Sequence, residues 1–295
     1  MNVLVAGGTG FIGRNLCTEL VERDHDVTAL SRDPDASELP EGVETAVGDL
    51  SAYDSIEGAF EGQDAVVNLV ALSPLFQPPK GVTHMTVHYG GTENVLRAME
   101  EHGVERLVHM SALGADPDGL TEYIRAKGLA EEAVREAGVN SVIFQPSVVF
   151  GDGGEFVPFA RKLTPGPLFK VLPGGGKTRF QPIHVDDLVP MLADAVEDDE
   201  HTGNTYEIGG PEVLTLAEVT RLAYEAKGKS AQIVPMPMAL AKFGLTLAGP
   251  VPFIPMGPDQ ARSLRLDNTT TDNGVTAFGA DPSSLTTLQQ YLGLS

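Results

Sequence analysis

Residues 5–14 read VAGGTGFIGR, and the fold turns on how this stretch is interpreted. It follows the apolar run MNVLVA and opens the helical pattern RNLCTELVERD. Glycines at a strand-to-helix junction permit a tight turn and let the backbone approach a pyrophosphate, whose charge rests on the amides of the helix N-terminus. The spacing here is G-x-x-G-x-x-G rather than G-x-G-x-x-G, so its weight comes from its place directly after a first strand. Gly7, Thr9, Gly10, Phe11, Ile12, Gly13 and Arg14 are thereby candidate cofactor contacts. The alternative is a Gly-rich turn with a purely structural purpose.

Outward from this loop, β-branched runs and helical patterns alternate. The order is DVTALSR, a helix near 53–60, DAVVNLVAL, TENVLRAMEEHG, RLVHMSA, EYIRAKGLAEEAVREAG and NSVIFQPS. Strand and helix in strict succession imply right-handed crossovers and a parallel sheet covered on both faces, a doubly wound α/β Rossmann domain. Gly103 and Gly138 stand where helices should stop. After Ser147 the rhythm loosens into Pro- and Gly-rich sequence. We therefore expect residues 1–150, rejoined by 183–210, to form the nucleotide domain, and 151–182 with 211–295 a smaller substrate lobe. A crevice between two lobes is where a small-molecule substrate would sit. The apolar stretch 235–257 is broken by Lys242, glycines and prolines. It is too interrupted to span a bilayer and reads as an amphipathic helix over about 238–248, packed on the fold or touching a membrane surface or greasy substrate.

Composition narrows the function classes. With 41 acidic against 20 basic residues the formal charge is −21, which argues against general affinity for nucleic acid or anionic lipid. The acid excess suggests adaptation to high salt, where the Debye length falls to ~3 Å and self-repulsion is screened. Cys17 stands alone on an apolar helix face, so it reads as core and no internal disulfide can form. The start MNVLVAG lacks a basic flank and apolar block, so we expect a cytoplasmic protein. Oligomeric state is not legible.

The end of the second strand selects between nucleotides, because an acid accepts from the ribose 2′-OH whereas an Arg holds a 2′-phosphate. Here the strand ends in Ser31 and Arg32, and Arg14 could converge on the same phosphate. NADP(H) is favoured over NAD(H), with Asp33 the residue that argues the other way. Asp49 and Leu50 in GDL end the third strand, where they can border the adenine or serve only as a turn.

Tyr123 and Lys127 lie four residues apart at the start of a helix that follows the fifth strand, so they share a face. Bringing a phenol from a pKa near 10 to about 7 requires ~4 kcal/mol of preference for the phenolate. One ammonium ~5 Å away gives about 3 kcal/mol at an effective dielectric of ~20. The pair can therefore move a proton at a carbonyl or alcohol oxygen while hydride is exchanged. In the alternative reading Lys127 is solvated and Tyr123 packs the helix start.

The ordered set GGTGFIGR, SR, GDL, VHYGGTENVL, LVHMSALGA, YIRAK, QPSVVFG, GGGKTRFQPIHVDD and YEIGGPEVLTL resembles an atypical extended short-chain dehydrogenase/reductase over essentially the whole chain. It most resembles the group related to the NADPH-binding accessory subunit of respiratory complex I. The resemblance implies a Rossmann domain with a C-terminal substrate lobe, bound NADP(H), and Tyr123 and Lys127 at the family's active-site positions. Ser111 resembles the family's hydroxyl that steadies the substrate oxygen, although relatives commonly carry the hydroxyl one position on, at Ala112 here. His88 stands where extended relatives commonly have Asn, and we expect it to be helix-start structure. GGGKT at 174–178 lacks the first glycine and the strand-to-helix context of a P-loop, and His184, Asp186 and Asp187 resemble the family's structural HVDD element, so no metal is expected. The implied activity is an NADP(H)-dependent oxidoreductase on a carbonyl/alcohol pair. Phe76, Pro78, Pro79 and the segment Met236–Met256 point to a quinone-like or isoprenoid substrate, a sugar nucleotide being the epimerase alternative. The competing class is an NADPH-holding accessory or assembly subunit without turnover, in contact with a respiratory complex or peripheral to a membrane.

Overall fold

The computed structural model describes residues 1–34, 39–163, 169–236 and 258–294. Six strands of the first half are β1 (Asn2–Ala6), β2 (Asp26–Ser31), β3 (Glu44–Val47), β4 (Ala65–Asn68), β5 (Arg106–Met110) and β6 (Asn140–Pro146). Then come β7 (Val149–Phe150), β8 (Phe169–Pro173), β9 (Arg179–Phe180), β10 (Ile183–His184), β11 (Thr205–Ile208), β12 (Leu214–Thr215) and β13 (Gln232–Met236). The main sheet has seven strands in the order β11-β6-β5-β4-β1-β2-β3, every neighbouring pair parallel. This is the doubly wound order with one strand added beside β6. The short strands pair off as β7 with β10, β9 with β12 and β8 with β13.

The continuous apolar runs of the sequence are explained by burial on both faces, as parallel sheets require. Val3, Val5, Ala29, Val67, Val108 and Phe144 face one side. There they meet Leu16, Cys17 and Leu20 of α1 (Phe11–Glu22) and Leu188 to Val196 of α5 (Val185–Glu197). Leu4, Ala6, Leu30, Val66 and Leu107 face the other, against Val95 and Met99 of α2 (Gly91–His102) and Val134 of α3 (Glu122–Glu136). Cys17 is sealed in that first core, where burial pushes its thiol up to about 12. A third core gathers Phe156 and Phe159 of α4 (Phe156–Lys162) with Leu216, Val219 and Ala223 of α6 (Leu216–Glu225).

Some sequence expectations shift. The third strand ends at Val47, two residues before Asp49, because β3 is an exposed edge without a buried face to fix its length. The helix expected near 53–60 is two 3₁₀ turns, Tyr53–Ser55 and Glu57–Phe60, the longer one carrying the poor helix former Gly58. The expected lobe division is crossed near the C-terminus, since Val275, Phe278 and Leu285 pack on the sheet's first face with Phe144 and Ile208. The helix expected over 238–248, and most of Met236–Met256, lie outside the described residues. Gly103 ends α2 with φ 69°, and Gly138, φ 72°, follows the last residues of α3. His184 caps α5, its Nδ1 accepting from Asp186 N at 3.3 Å, while Asp187 accepts from Thr286 N at 2.8 Å. No helix among the described residues is long and apolar enough to cross a membrane.

The position of α3 depends on Gly128. A Cβ there would sit 2.3 Å from Asp116 C and Pro117 N, so helix and the 115–117 loop touch backbone to backbone. Gly128→Ala is expected to lower stability by about 1–3 kcal/mol despite the better helix propensity of alanine. Urea denaturation checks this; an unchanged midpoint would refute the close approach.

Candidate active site

The Gly-rich loop is built for something to approach it. Gly7 adopts φ 86°, its N–H donates to Leu30 O at 2.8 Å, and Gly10 N donates to Gly7 O at 2.9 Å. A Cβ on Gly8 would lie 2.6 Å from Ala29 Cβ, and one on Gly13 would lie 2.2 Å from Gly7 O. Side chains at these positions would push α1 away from the sheet. Gly10 is the N-cap of α1 and supplies no side-chain cap, leaving the first-turn amides and the positive end of the helix dipole available to an anion.

A cleft of about 620 Å³ opens beside the loop. Gly7, Thr9 and Gly10 form one wall, Ser31, Arg32 and Asp33 the end of β2, and Asp49 to Ser51 a third side. Leu72, Val82 and Val87 line the remainder. Ser31 Oγ is buried without a hydrogen-bond partner. Asp49 accepts from Ser51 Oγ at 2.7 Å and Ser51 N at 2.9 Å, and those bonds, helped by the Arg32 charge, hold its carboxyl below the usual range. Leu50 is buried, its carbonyl held by Asn94 Nδ2 at 2.7 Å. Arg14, in the first turn of α1, has its Nη2 3.3 Å from where a Cβ on Gly153 would stand. The glycine cradle, the uncapped helix and the orphan hydroxyl fit a dinucleotide, with Arg32 and Asp33 side by side at the adenosine end.

Tyr123 and Lys127 share the first turns of α3, which Thr121 caps by accepting from Ile124 N at 3.3 Å. Lys127 is 2% exposed, and its ammonium donates to Met110 O, at the end of β5, at 2.6 Å. Burial drives it down to about 8, partly countered by Glu131. The Tyr123 phenol is pushed up by burial. The expected lowering by Lys127 is thus not realised in this arrangement, because desolvation dominates and the lysine's charge is turned to a carbonyl. No described residue hydrogen-bonds the Tyr123 hydroxyl.

Ser111 is placed differently from the expectation. It is buried and its hydroxyl donates to Glu131, which also accepts from Gln145 Nε2 at 2.7 Å and Arg135 Nη2 at 2.7 Å. The two positions after it are the apolar Ala112 and Leu113. What faces Tyr123 instead is a pair of histidines that sequence reasoning misses or undervalues. His84 and His88 stack at 5.4 Å with 16° between planes, and each meets the Tyr123 ring edge-on at 5.4 Å. They sit at the start of, and within, a π-helical turn, Met85–Gly90, that leads into α2. His88 Nε2 accepts from Leu72 N at 3.3 Å, linking this turn to the cleft wall. Burial, then the nearby Lys127, keeps His88 neutral, and the same causes take His109 on β5 down to about 3. Among the described residues, one group brings three metal-ligand side chains together, Asp198, Glu200 and His201, but His201 Nδ1 already bonds Tyr206 OH at 2.9 Å.

Residues 7–160 match the family described as NAD(P)H-binding. The chain belongs to that family. It is an NAD(P)-binding Rossmann protein of the extended short-chain dehydrogenase/reductase and epimerase-like kind. It is similar to mitochondrial NADH dehydrogenase (ubiquinone) 1 alpha subcomplex subunit 9 of Arabidopsis thaliana, 29% identical over 92% of this chain and 71% of that protein. It is also similar to 2-alkyl-3-oxoalkanoate reductase of Stenotrophomonas maltophilia, 31% identical over 77% of this chain and 76% of the reductase. The chain spans as little as 63% of the length of such curated relatives. Its fold matches UDP-glucose 4-epimerase of Thermus thermophilus in complex with NAD, with a TM-score of 0.73 and 23% identity over 100% of this chain and 97% of that one.

The buried lysine makes a pH prediction. Its folded value, about 8, lies below the ordinary 10.5, so between those limits the unfolded chain holds a proton the folded one has released. Stability from this group therefore rises with pH across that window. Relative to Lys127→Met, the wild type is expected to gain thermal stability between pH 8 and 10.5; a constant difference would contradict a desolvated ammonium.

Proposed function

We propose that this protein is an NADP(H)-dependent oxidoreductase of the extended short-chain type, acting on a carbonyl/alcohol pair. The observation that carries the reading is the Tyr123 hydroxyl, unbonded at the head of α3, on the same helix face as the buried Lys127. The loop Gly7–Gly13 and the first amides of α1 would hold the diphosphate, and Arg32 the 2′-phosphate at the end of the cleft. Bound there, NADP(H) supplies or accepts the hydride. Tyr123 gives a proton to the substrate oxygen during reduction and takes it back during oxidation. Lys127 has the charge and place to stabilise the phenolate once it leaves Met110 O. Phe76, expected to line an apolar site, stacks edge-on with Phe159 at 5.7 Å, within the lobe that would select the substrate. The reading favours a quinone-like or isoprenoid substrate over a sugar nucleotide.

The commitment of Ser111 to Glu131 favours a second reading, an NADPH-holding accessory or assembly subunit that does not turn over. Likeness to a respiratory subunit supports it as well.

Calorimetric titration in concentrated KCl is expected to show NADPH binding more tightly than NADH, with Arg32→Ala weakening NADPH about tenfold or more and NADH little, as for loss of a charge-assisted bond. Equal affinities would remove the 2′-phosphate assignment. Tyr123→Phe should lower NADPH oxidation by carbonyl or quinone acceptors about 100-fold or more with NADPH affinity unchanged. Tight NADPH binding with no consumption by any acceptor would leave the accessory reading standing.

A further inference from the structure

A carbonyl reduced beside Tyr123 needs more than one donor on its oxygen, because charge develops there faster than one proton transfer neutralises it. The hydroxyl that would share this task is absent: Ser111 donates to Glu131, and Ala112 and Leu113 offer nothing. The rings in contact with Tyr123 are imidazoles.

Their nitrogens can be assigned from their partners. A backbone N–H can only donate, so the bond from Leu72 N makes His88 Nε2 an acceptor and puts the proton of the neutral ring on Nδ1. That Nδ1 is enclosed and has no partner. His88 thus spends its accessible chemistry on Leu72 and serves as the platform on which His84 stacks. In His84 only Nδ1 is enclosed and unpartnered, and no described residue bonds Nε2. His84 Nε2 and the Tyr123 hydroxyl are the polar atoms of this trio that no described residue bonds and that are absent from the enclosed, unpartnered set, on rings whose centroids lie 5.4 Å apart, although His84 as a whole is buried. The four-residue spacing brings this about, since side chains at i and i+4 lie over one another on a helical face. Single π-helical turns inside helices are frequent at functional sites. Leu72 and Val87, beside these histidines, line the same cleft that begins at the Gly-rich loop.

We infer that His84 is a catalytic residue of this site, donating from Nε2–H to the substrate oxygen alongside Tyr123, with His88 positioning it by stacking. The inference rests on the oxidoreductase reading. It assigns to a histidine a task for which the sequence suggests Ser111. His84 remains a neutral donor and does not itself transfer the proton, which comes from Tyr123.

The test uses the full chain in concentrated KCl with NADPH and two probes, menadione and 2-decanone. His84→Leu is expected to lower kcat about 100-fold, the effect of deleting one such donor, while leaving the NADPH dissociation constant within about twofold of wild type. His84→Gln, whose amide can still donate, should recover at least about tenfold of that loss. Histidine ¹⁵N spectra of the resting protein give a readout independent of turnover: Nε2 of His84 should carry the proton. A kcat for His84→Leu within about threefold of wild type, or a His84 protonated on Nδ1 alone, overturns the inference and leaves the oxidoreductase reading intact. A wild type that binds NADPH yet consumes none with either probe overturns both, and is told apart because the loss precedes any substitution.

Discussion

A helix N-terminus must be pressed against the C-terminal end of a fully buried parallel sheet, and the backbone between them has room for no side chain. The 2.2 Å between Gly7 O and a notional Gly13 Cβ states this constraint in one number. If α1 stood back by the width of a methyl group, Cys17 and Leu20 would lose the face made by Val3, Val5 and Ala29, and the first core would open. The same closeness leaves the α1 amides facing the cleft instead of a capping side chain. Fold stability and anion binding therefore rest on the same atoms, so the loop cannot be altered for one without the other.

From that junction the rest of the site is placed by succession. Each strand of a parallel sheet ends on the same edge, so β1, β2, β4 and β5 deliver the Gly-rich loop, Arg32, the 69–72 segment and Ser111 to one rim. The helix after β5 then begins over that rim, with Gly128 letting it lie directly on the 115–117 loop. Tyr123 and Lys127 lie in the turns of α3 just before this contact, so the close approach at Gly128 fixes where they stand.

Much of this is legible in the sequence, and for a definite reason. Strands buried on both faces are mostly apolar, so VLVA, AVVN and the LV of RLVHM announce themselves, and the glycines punctuate them. Where burial does not enforce a pattern, legibility fails. The edge strand β3 has no inner face, so nothing in its sequence marks an end two residues before Asp49, and Gly58 leaves turns where the pattern suggests a helix. The histidine pair is harder still. His84 and His88 have a four-residue spacing that any helix face produces, and nothing in it announces that Tyr123, on another helix, meets both rings. The partner of Ser111 is Glu131, twenty positions away on another element, and no local pattern connects them.

Electrostatics explains why an attractive pairwise estimate misses. Coulomb's law at a fixed distance makes Lys127 the natural activator of Tyr123, but it treats the lysine as charged at no cost. Inside this fold the ammonium is nearly sealed, its pKa falls to about 8, and its hydrogen bond goes to Met110 O. A group that is itself close to losing its proton is a weak support for a neighbouring phenolate until something draws it from the carbonyl or supplies further positive charge. A ligand whose hydroxyls could accept from Lys127 and whose ring carries charge would do both. Proton transfer from the phenol would then depend on what stands beside the lysine, and not on the lysine alone.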